Sequence, residues 1–228
     1  FSKLDGLVIE PVEVNKKDEG ISTSSITSKD VMTSARGSLN KAVELAKQAA
    51  GDKAMVIGSI APLEDCYSPE LFPGKKTAIT EFRQLGGWLS DAGVDILLLE
   101  TMTSISEAEA GFIALQSFQL PIWIRLVMKD DEHLLSGDLL LDALTLLQDH
   151  SVNTVLLNCN PLQRTEKSMI FLAENWTGKW GIYPNLGIGE PSPNGRITKY
   201  ESMEKFTALM EIGRRRVGKE CRSRWSAY

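Results

Sequence analysis

The sequence contains little cysteine and no long apolar run. Its 228 residues include three cysteines, at positions 66, 159 and 221. Three scattered cysteines do not make a disulfide framework, so we expect reduced thiols. No apolar run reaches the ~20 residues that span a bilayer, and the N-terminal residues lack the core of a signal peptide. We therefore expect a cytoplasmic protein without a membrane partner.

An excess of basic charge is also absent. The formal net charge is −5, which argues against nucleic acid as a partner. The hydrophobic fraction of 43% is ordinary for a globular protein with a sizeable core. An α/β barrel of about 250 residues counts as one domain, so we expect residues 1–228 to form a single domain.

No glycine-rich phosphate-binding fingerprint follows any predicted strand. The nearest sequence, Gly187-Ile188-Gly189, is followed by Pro191 and Pro193, so no helix begins there. Short apolar strands nevertheless alternate with helical patterns, which predicts a parallel sheet covered by helices. Either a barrel or a doubly wound sheet has this pattern, and the missing fingerprint favours a (β/α)8 TIM barrel. The predicted strands are 54–60, 94–99, 121–128, 152–157 and 180–183, and the spacing suggests another at 214–218.

Both ends of the chain depart from this pattern. Residues 1–38 are expected to be irregular, because 19–36 are rich in Ser and Thr and have no clean period. Residues 214–228 form an atypical basic tail, and a buried strand does not tolerate Arg214-Arg215-Arg216. With one strand candidate before residue 50 and six after it, we expect a barrel that is incomplete or distorted at both ends.

Polar residues follow several of the predicted strands. In a parallel barrel these positions lie on one face, where ligands bind. Taken singly, each could be only a turn or a helix cap. Glu100 is different, because a half-buried carboxylate needs a partner, and a substrate ammonium group is one candidate. The residues are Ser59, Glu100, Thr101, Asn158, Cys159, Tyr183 and Asn185.

Several of these segments, in order, resemble motifs of one family. Gly58-Ser59-Ile60-Ala61-Pro62 is similar to its Gly-Ser-Ile-Gly-Pro, and Glu100-Thr101 to its Glu-Thr. Asn158-Cys159 and Tyr183-Pro184-Asn185 resemble its Asn-Cys and Tyr-Pro-Asn. Leu4-Asp5-Gly6 resembles its opening motif. The family is that of the homocysteine S-methyltransferases, zinc-dependent (β/α)8 barrels that include betaine-homocysteine methyltransferases, and the resemblance covers about residues 40–212.

The resemblance implies a reaction and a set of site residues. A methyl group would pass from a sulfonium or quaternary ammonium donor to zinc-bound homocysteine, giving methionine. Cys159 would be one Zn²⁺ ligand, Glu100 would hold the homocysteine ammonium group, and Asp5 would lie near the substrate. The substrate would also meet Ser59, Thr101 and Asn158. The implied partners are these small molecules, and a homo-oligomer is compatible with the family.

The last zinc-binding motif of the family is altered in this chain. Gly218-Lys219-Glu220-Cys221 stands where the family has Gly-Gly-Cys-Cys, so the expected ligand set is Cys159, Glu220 and Cys221. Lys219 and Arg222 place positive charge beside it. Two alternatives therefore remain open, namely a metal-free barrel that binds an amino acid-like ligand, and a non-functional product of an altered gene. The basic tail is either a patch for an anionic partner or an altered chain end.

Overall fold

The structure is a computed structural model that describes residues 7–9, 28–152, 154–188 and 199–217. Three of the predicted site residues, Asp5, Glu220 and Cys221, lie outside the described residues. The others, Ser59, Glu100, Thr101, Asn158 and Cys159, are all described. Among the helices of the described residues, none has the length and apolar character needed to cross a membrane.

The described part of the chain forms one parallel sheet of six strands whose spatial order is the order of the sequence. The strands are β1 (Leu7–Ile9), β2 (Val56–Ile60), β3 (Ile96–Met102), β4 (Ile122–Leu126), β5 (Thr154–Pro161) and β6 (Lys179–Asn185). Sequential order is the order of a barrel, whereas a doubly wound sheet reverses direction at a switch point. The predicted α/β barrel class is confirmed, with six strands rather than eight among the described residues.

Helices alternate with the strands as the apolar pattern predicts. They are α1 (Ser28–Ala50), α2 (Lys75–Ala92), α3 (Ile105–Leu115), α4 (Leu140–Asp149), α5 (Leu162–Asn175) and α6 (Met203–Val217). Gly93 ends α2 at a φ of 84°, and Ser104 caps α3 by accepting a hydrogen bond from the Glu107 amide. Both ends match the sequence signals, because glycine readily adopts the left-handed conformation and a serine hydroxyl satisfies an unpaired helical amide.

The two faces of the sheet have different surroundings. One face packs on the helices through a large apolar core that includes Leu97, Leu99 and Leu126. On the opposite face a smaller cluster contains Ile57 and Leu98, with partly buried apolar neighbours. Side chains alternate along a strand, so the residues two positions further on each strand lie on this second face as well. Those residues are Ser59, Glu100, Arg125 and Asn158, and they form a polar layer above the apolar one.

The prediction that residues 1–38 are irregular is wrong for residues 28–38, which belong to α1. Residues 30–38 are exposed, whereas Val43 and Ala46 are buried. Elongation of an existing helix adds one hydrogen bond per residue and needs no apolar contact. The buried C-terminal half of α1 therefore supports an exposed N-terminal half that shows no apolar period in the sequence.

The strand suggested at 214–218 is also wrong, because α6 continues through Arg214, Arg215 and Arg216 to Val217. Arginine is a good helix former, and a buried barrel strand has no place for three consecutive guanidinium groups. Gly218 and the rest of the basic tail lie outside the described residues.

Candidate functional site

The described site residues lie at the carboxyl ends of neighbouring parallel strands. Ser59 is near the end of β2, Glu100 and Thr101 are in β3, and Asn158 and Cys159 are in β5. Because parallel strands present their carboxyl ends on one edge, the structure brings these residues together as the sequence predicts.

Two of these strands carry a β-bulge at the motif residues themselves. In β3 the pairing with β4 shifts between Leu99 and Met102, and Thr101 has a φ of 62°. In β5 the pairing with β6 shifts between Asn158 and Pro161, and Cys159 has a φ of 55°. A left-handed conformation is unfavourable for such residues by about 1–3 kcal/mol, and strain of this kind concentrates at functional sites. A bulge redirects a side chain, so the Cys159 thiol leaves the regular alternation of β5.

Asn158 joins the two bulges. Its side chain is buried, and its Nδ2 donates hydrogen bonds to Thr101 Oγ1 at 2.8 Å and to Cys159 Sγ at 3.2 Å. Its Oδ1 is buried and has no hydrogen-bond partner among the described residues. The amide thus fixes the thiol relative to β3 and leaves one acceptor unused.

Glu100 already has two partners within the chain. Ser59 Oγ donates to its Oε2, and Arg125 Nη1 donates to its Oε1. The sequence prediction that a substrate ammonium group satisfies this carboxylate did not include Arg125. A carboxylate with a guanidinium beside it has less need of a second cation, and the role predicted for Glu100 in binding an ammonium group stays a prediction.

Arg125 is the functional candidate that the sequence reasoning missed. It lies on β4, its side chain is 9% exposed, and its Cζ stands 5.3 Å from the ring centroid of Tyr183. A signal was present, since Arg125 is the only charged residue in the predicted strand 121–128. A buried arginine requires an anion, and the half-buried Glu100 is the matching one.

The described residues supply one of the predicted zinc donors, Cys159, whose side chain is half-buried. No group of three or more His, Cys, Asp or Glu residues suited to a metal ion occurs within the described ranges. Cys159 fits a metal-ligand role by its thiol and its place at a strand end. The other predicted ligands, Glu220 and Cys221, are outside the described residues.

Cys66 has a different environment. It is half-buried in the loop after β2, and burial raises the pKa of its thiol, an effect that the charges of Asp65 and then Cys159 increase. A raised pKa keeps the thiol protonated at neutral pH when no metal is bound. Cys66 belongs to none of the motifs from which the zinc ligands are predicted.

Glu107 is a buried carboxylate beside the site. It is 3% exposed, and its Oε2 accepts hydrogen bonds from the Thr103 amide at 3.3 Å and the Thr103 hydroxyl at 3.2 Å. Burial raises its pKa above the ordinary value of 4.5, and the bonds from Thr103 offset part of the effect. Between pH 4.5 and the raised pKa the folded chain therefore holds a proton that the unfolded chain has lost.

The contribution of Glu107 to stability should fall as pH rises through this interval, because the folded state binds more protons than the unfolded state. In Glu107→Gln, which keeps an acceptor for Thr103 and cannot ionise, this fall is expected to disappear. Urea unfolding from pH 4.5 to 7 measures it, with wild type losing stability relative to the variant as pH rises. If the free energy of unfolding changed with pH in the same way for wild type and Glu107→Gln, a raised pKa of Glu107 would be contradicted.

The order of the strands in the sheet and the polar residues at their carboxyl ends show that this protein is of the (β/α)-barrel class. A cysteine thiol lies at the end of one of its strands. The family described as homocysteine S-methyltransferase matches residues 20–224, and the chain belongs to this family. Homocysteine S-methyltransferase YbgG of Bacillus subtilis is 33% identical over 101 residues, which are 43% of this chain and 32% of that protein. The homocysteine S-methyltransferase of Escherichia coli is 33% identical over the same length, 43% of this chain and 33% of its own.

Solved structures agree with the sequence relatives. The crystal structure of the metallated form of the homocysteine methyltransferase MmuM from Escherichia coli superposes with a TM-score of 0.63 at 27% identity. The match covers 68% of this chain and 60% of that one. The aligned part of the chain thus spans about a third of the curated relatives.

Proposed function

We propose that this protein transfers a methyl group from a sulfonium or quaternary ammonium donor to the thiol of homocysteine, giving methionine. The observation that carries the proposal is Asn158-Cys159 at the end of β5, where a bulge redirects the thiol and Asn158 ties it to Thr101. Membership of the homocysteine S-methyltransferase family supports the same reaction. The whole of residues 1–228 would form the one barrel domain that performs it.

Zinc is the proposed cofactor, with Cys159, Glu220 and Cys221 as its ligands. Thiolates and carboxylates are zinc donors, and three protein ligands leave a fourth position for a substrate. The metallated form of MmuM supports metal use in this family. A free thiol has a pKa well above 7, and zinc supplies the Lewis acid that lowers it.

The polar layer would bind and orient the acceptor. Ser59, Glu100 and Arg125 are linked by hydrogen bonds, so they hold one another in place before a substrate arrives. Thr101 and Asn158 fix the bulged backbone around the thiol. The apolar residues Ile57 and Leu98 lie beneath, which keeps water from this side of the charged groups. Asp5 is proposed to approach from the first strand.

The proposal places the protein in the cytosol, where thiols stay reduced. Its partners would be homocysteine and the donor, without nucleic acid or a membrane, and a homo-oligomer is compatible with it.

A second candidate function is a metal-free barrel that binds an amino acid-like ligand. One observation favours it. Glu220-Cys221 stands where the family that the chain resembles has two adjacent cysteines, so one of the family's thiol ligands is missing. In this case the chain would bind an amino acid but would carry no zinc and transfer no methyl group.

One assay separates the two. Purified protein is analysed for zinc and incubated with L-homocysteine and a methyl-labelled donor, either S-methylmethionine or glycine betaine. The proposal predicts about one zinc per chain and labelled methionine from one of the donors. Metal-free protein that binds homocysteine without forming methionine would support the second candidate and contradict the first.

A further inference from the structure

Arg125 has a buried donor that no group of the described chain uses. The residue is 8% exposed, and its Nη1 is bonded to Glu100. Its Nε is buried and lacks a hydrogen-bond partner among the described residues. A buried donor without a partner is unfavourable, and the penalty is larger for a charged group. The guanidinium is therefore incompletely satisfied by the protein itself.

The unused donor has a geometry suited to one class of ligand. The Nε edge of a guanidinium, together with the adjacent amino nitrogen, binds a carboxylate through two parallel hydrogen bonds. A ligand carboxylate at this edge would stand beside a guanidinium already paired with Glu100. The ligand carboxylate would be a second negative charge beside Arg125, in addition to Glu100. We therefore expect the ligand to contain a positively charged group as well.

An acceptor for such a cation is on the adjacent strand. Arg125 pairs in register with Leu156, and Asn158 follows on the same face two residues later. Asn158 pairs with Tyr183, whose ring covers the Arg125 guanidinium, so the three side chains share one part of the polar layer. Asn158 Oδ1 is a buried acceptor without a partner among the described residues. One unused donor and one unused acceptor thus lie on neighbouring strands.

We propose that Arg125 determines acceptor specificity by binding the carboxylate of an α-amino acid, while Asn158 Oδ1 and Glu100 accept hydrogen bonds from its ammonium group. This rests on the proposed function, in which homocysteine is the acceptor, and it adds a requirement for the acceptor's carboxylate. Glu100 is then a shared acceptor rather than the sole partner of the ammonium group.

The test compares two thiols that differ only in the carboxylate. L-Homocysteine and its decarboxylated form, aminopropanethiol, are titrated by calorimetry into the full chain and into Arg125→Met. The variant should bind homocysteine about tenfold or more weakly, since a hydrogen-bonded charge pair is lost. Its affinity for aminopropanethiol should not fall, because this thiol lacks the carboxylate that Arg125 would bind and Glu100 remains available to its ammonium group.

Two further variants control for the loss of charge and for folding. Arg125→Lys keeps a cation opposite Glu100 but lacks the planar fork, so it should bind homocysteine more weakly than wild type and aminopropanethiol equally well. If Arg125→Met does not show the wild-type circular dichroism spectrum, and so does not fold, the affinities of Arg125→Lys for the two thiols decide the question. Arg36→Met, which breaks an exposed pair with Asp91, should bind both thiols as wild type does.

Unchanged homocysteine affinity in both Arg125 variants overturns the inference, and so does an equal loss for the two thiols. Failure of wild type to bind homocysteine overturns it as well. The proposed function fails separately. If homocysteine binding depends on Arg125 but no methionine forms, the role of Arg125 is supported and methyl transfer is contradicted. If methionine forms but the Arg125 variants bind homocysteine as wild type does, methyl transfer is supported and the role of Arg125 is contradicted.

Discussion

Replacement of Cys159 by serine is expected to lower the zinc content of the purified protein from about one ion per chain to near zero. The thiolate is the donor that the described site contributes, and a serine hydroxyl is a poor zinc ligand at neutral pH. Homocysteine methylation should be lost with the metal. Inductively coupled plasma mass spectrometry on the purified variant measures the first effect, and the labelled-methyl assay measures the second.

The serine variant should keep its fold, so the effect can be assigned to the ligand. Serine has the same backbone requirement as cysteine at a φ of 55°, and its Oγ can accept the hydrogen bond from Asn158 Nδ2. Cys66→Ser is the matched control, because Cys66 is also a half-buried free cysteine and is not among the proposed zinc ligands. Full zinc in Cys159→Ser, or equal loss in both variants, would contradict the role of Cys159.

Replacement of Glu100 by glutamine is expected to destabilise the fold by about 3–5 kcal/mol, because it leaves the Arg125 guanidinium buried without an anion. The Glu100 and Arg125 side chains are 17% and 9% exposed, so water replaces little of the lost interaction. The double variant Glu100→Gln with Arg125→Met removes both charges and should recover much of the loss. Urea unfolding of both single variants and the double variant gives the coupling between the two residues.

An exposed pair of similar chemistry serves as the control for this cycle. Arg36 and Asp91 are bonded at 2.8 Å with side chains 47% and 67% exposed. Such surface pairs contribute about 0–1 kcal/mol, so Asp91→Asn should have little effect. If Glu100→Gln proved as mild as Asp91→Asn, the Glu100–Arg125 pair would not be a buried structural unit.

The sequence was sufficient to predict β2 to β6, their parallel arrangement and the edge on which the described site residues lie, although it also suggested a strand at 214–218 where α6 is found. Those features follow from apolar runs that end in polar residues, which is a local signal. The bulges at Thr101 and Cys159 could not be predicted, because neither residue type favours a positive φ and only the pairing with the next strand imposes it. The position of the motif residues at the strand ends was therefore predictable from the sequence, whereas the direction of the Cys159 thiol was not.

The other features that the sequence did not predict also depend on contacts between residues that are distant in the sequence. The first turns of α1 show no apolar period because they are exposed, and their helical state depends on the buried half that follows. The Glu100–Arg125 pair joins residues 25 positions apart in the sequence. Each residue alone was visible as a charge in an apolar strand, and the register of β3 with β4 brings them together.

X-ray absorption at the zinc edge, with and without L-homocysteine, measures directly whether this protein binds the acceptor thiol through zinc. We expect zinc in a mixed sulfur and oxygen environment, from Cys159, Cys221 and Glu220, that gains about one sulfur ligand when homocysteine is added. Protein without zinc, or zinc whose sulfur coordination is unchanged by saturating homocysteine, would contradict it.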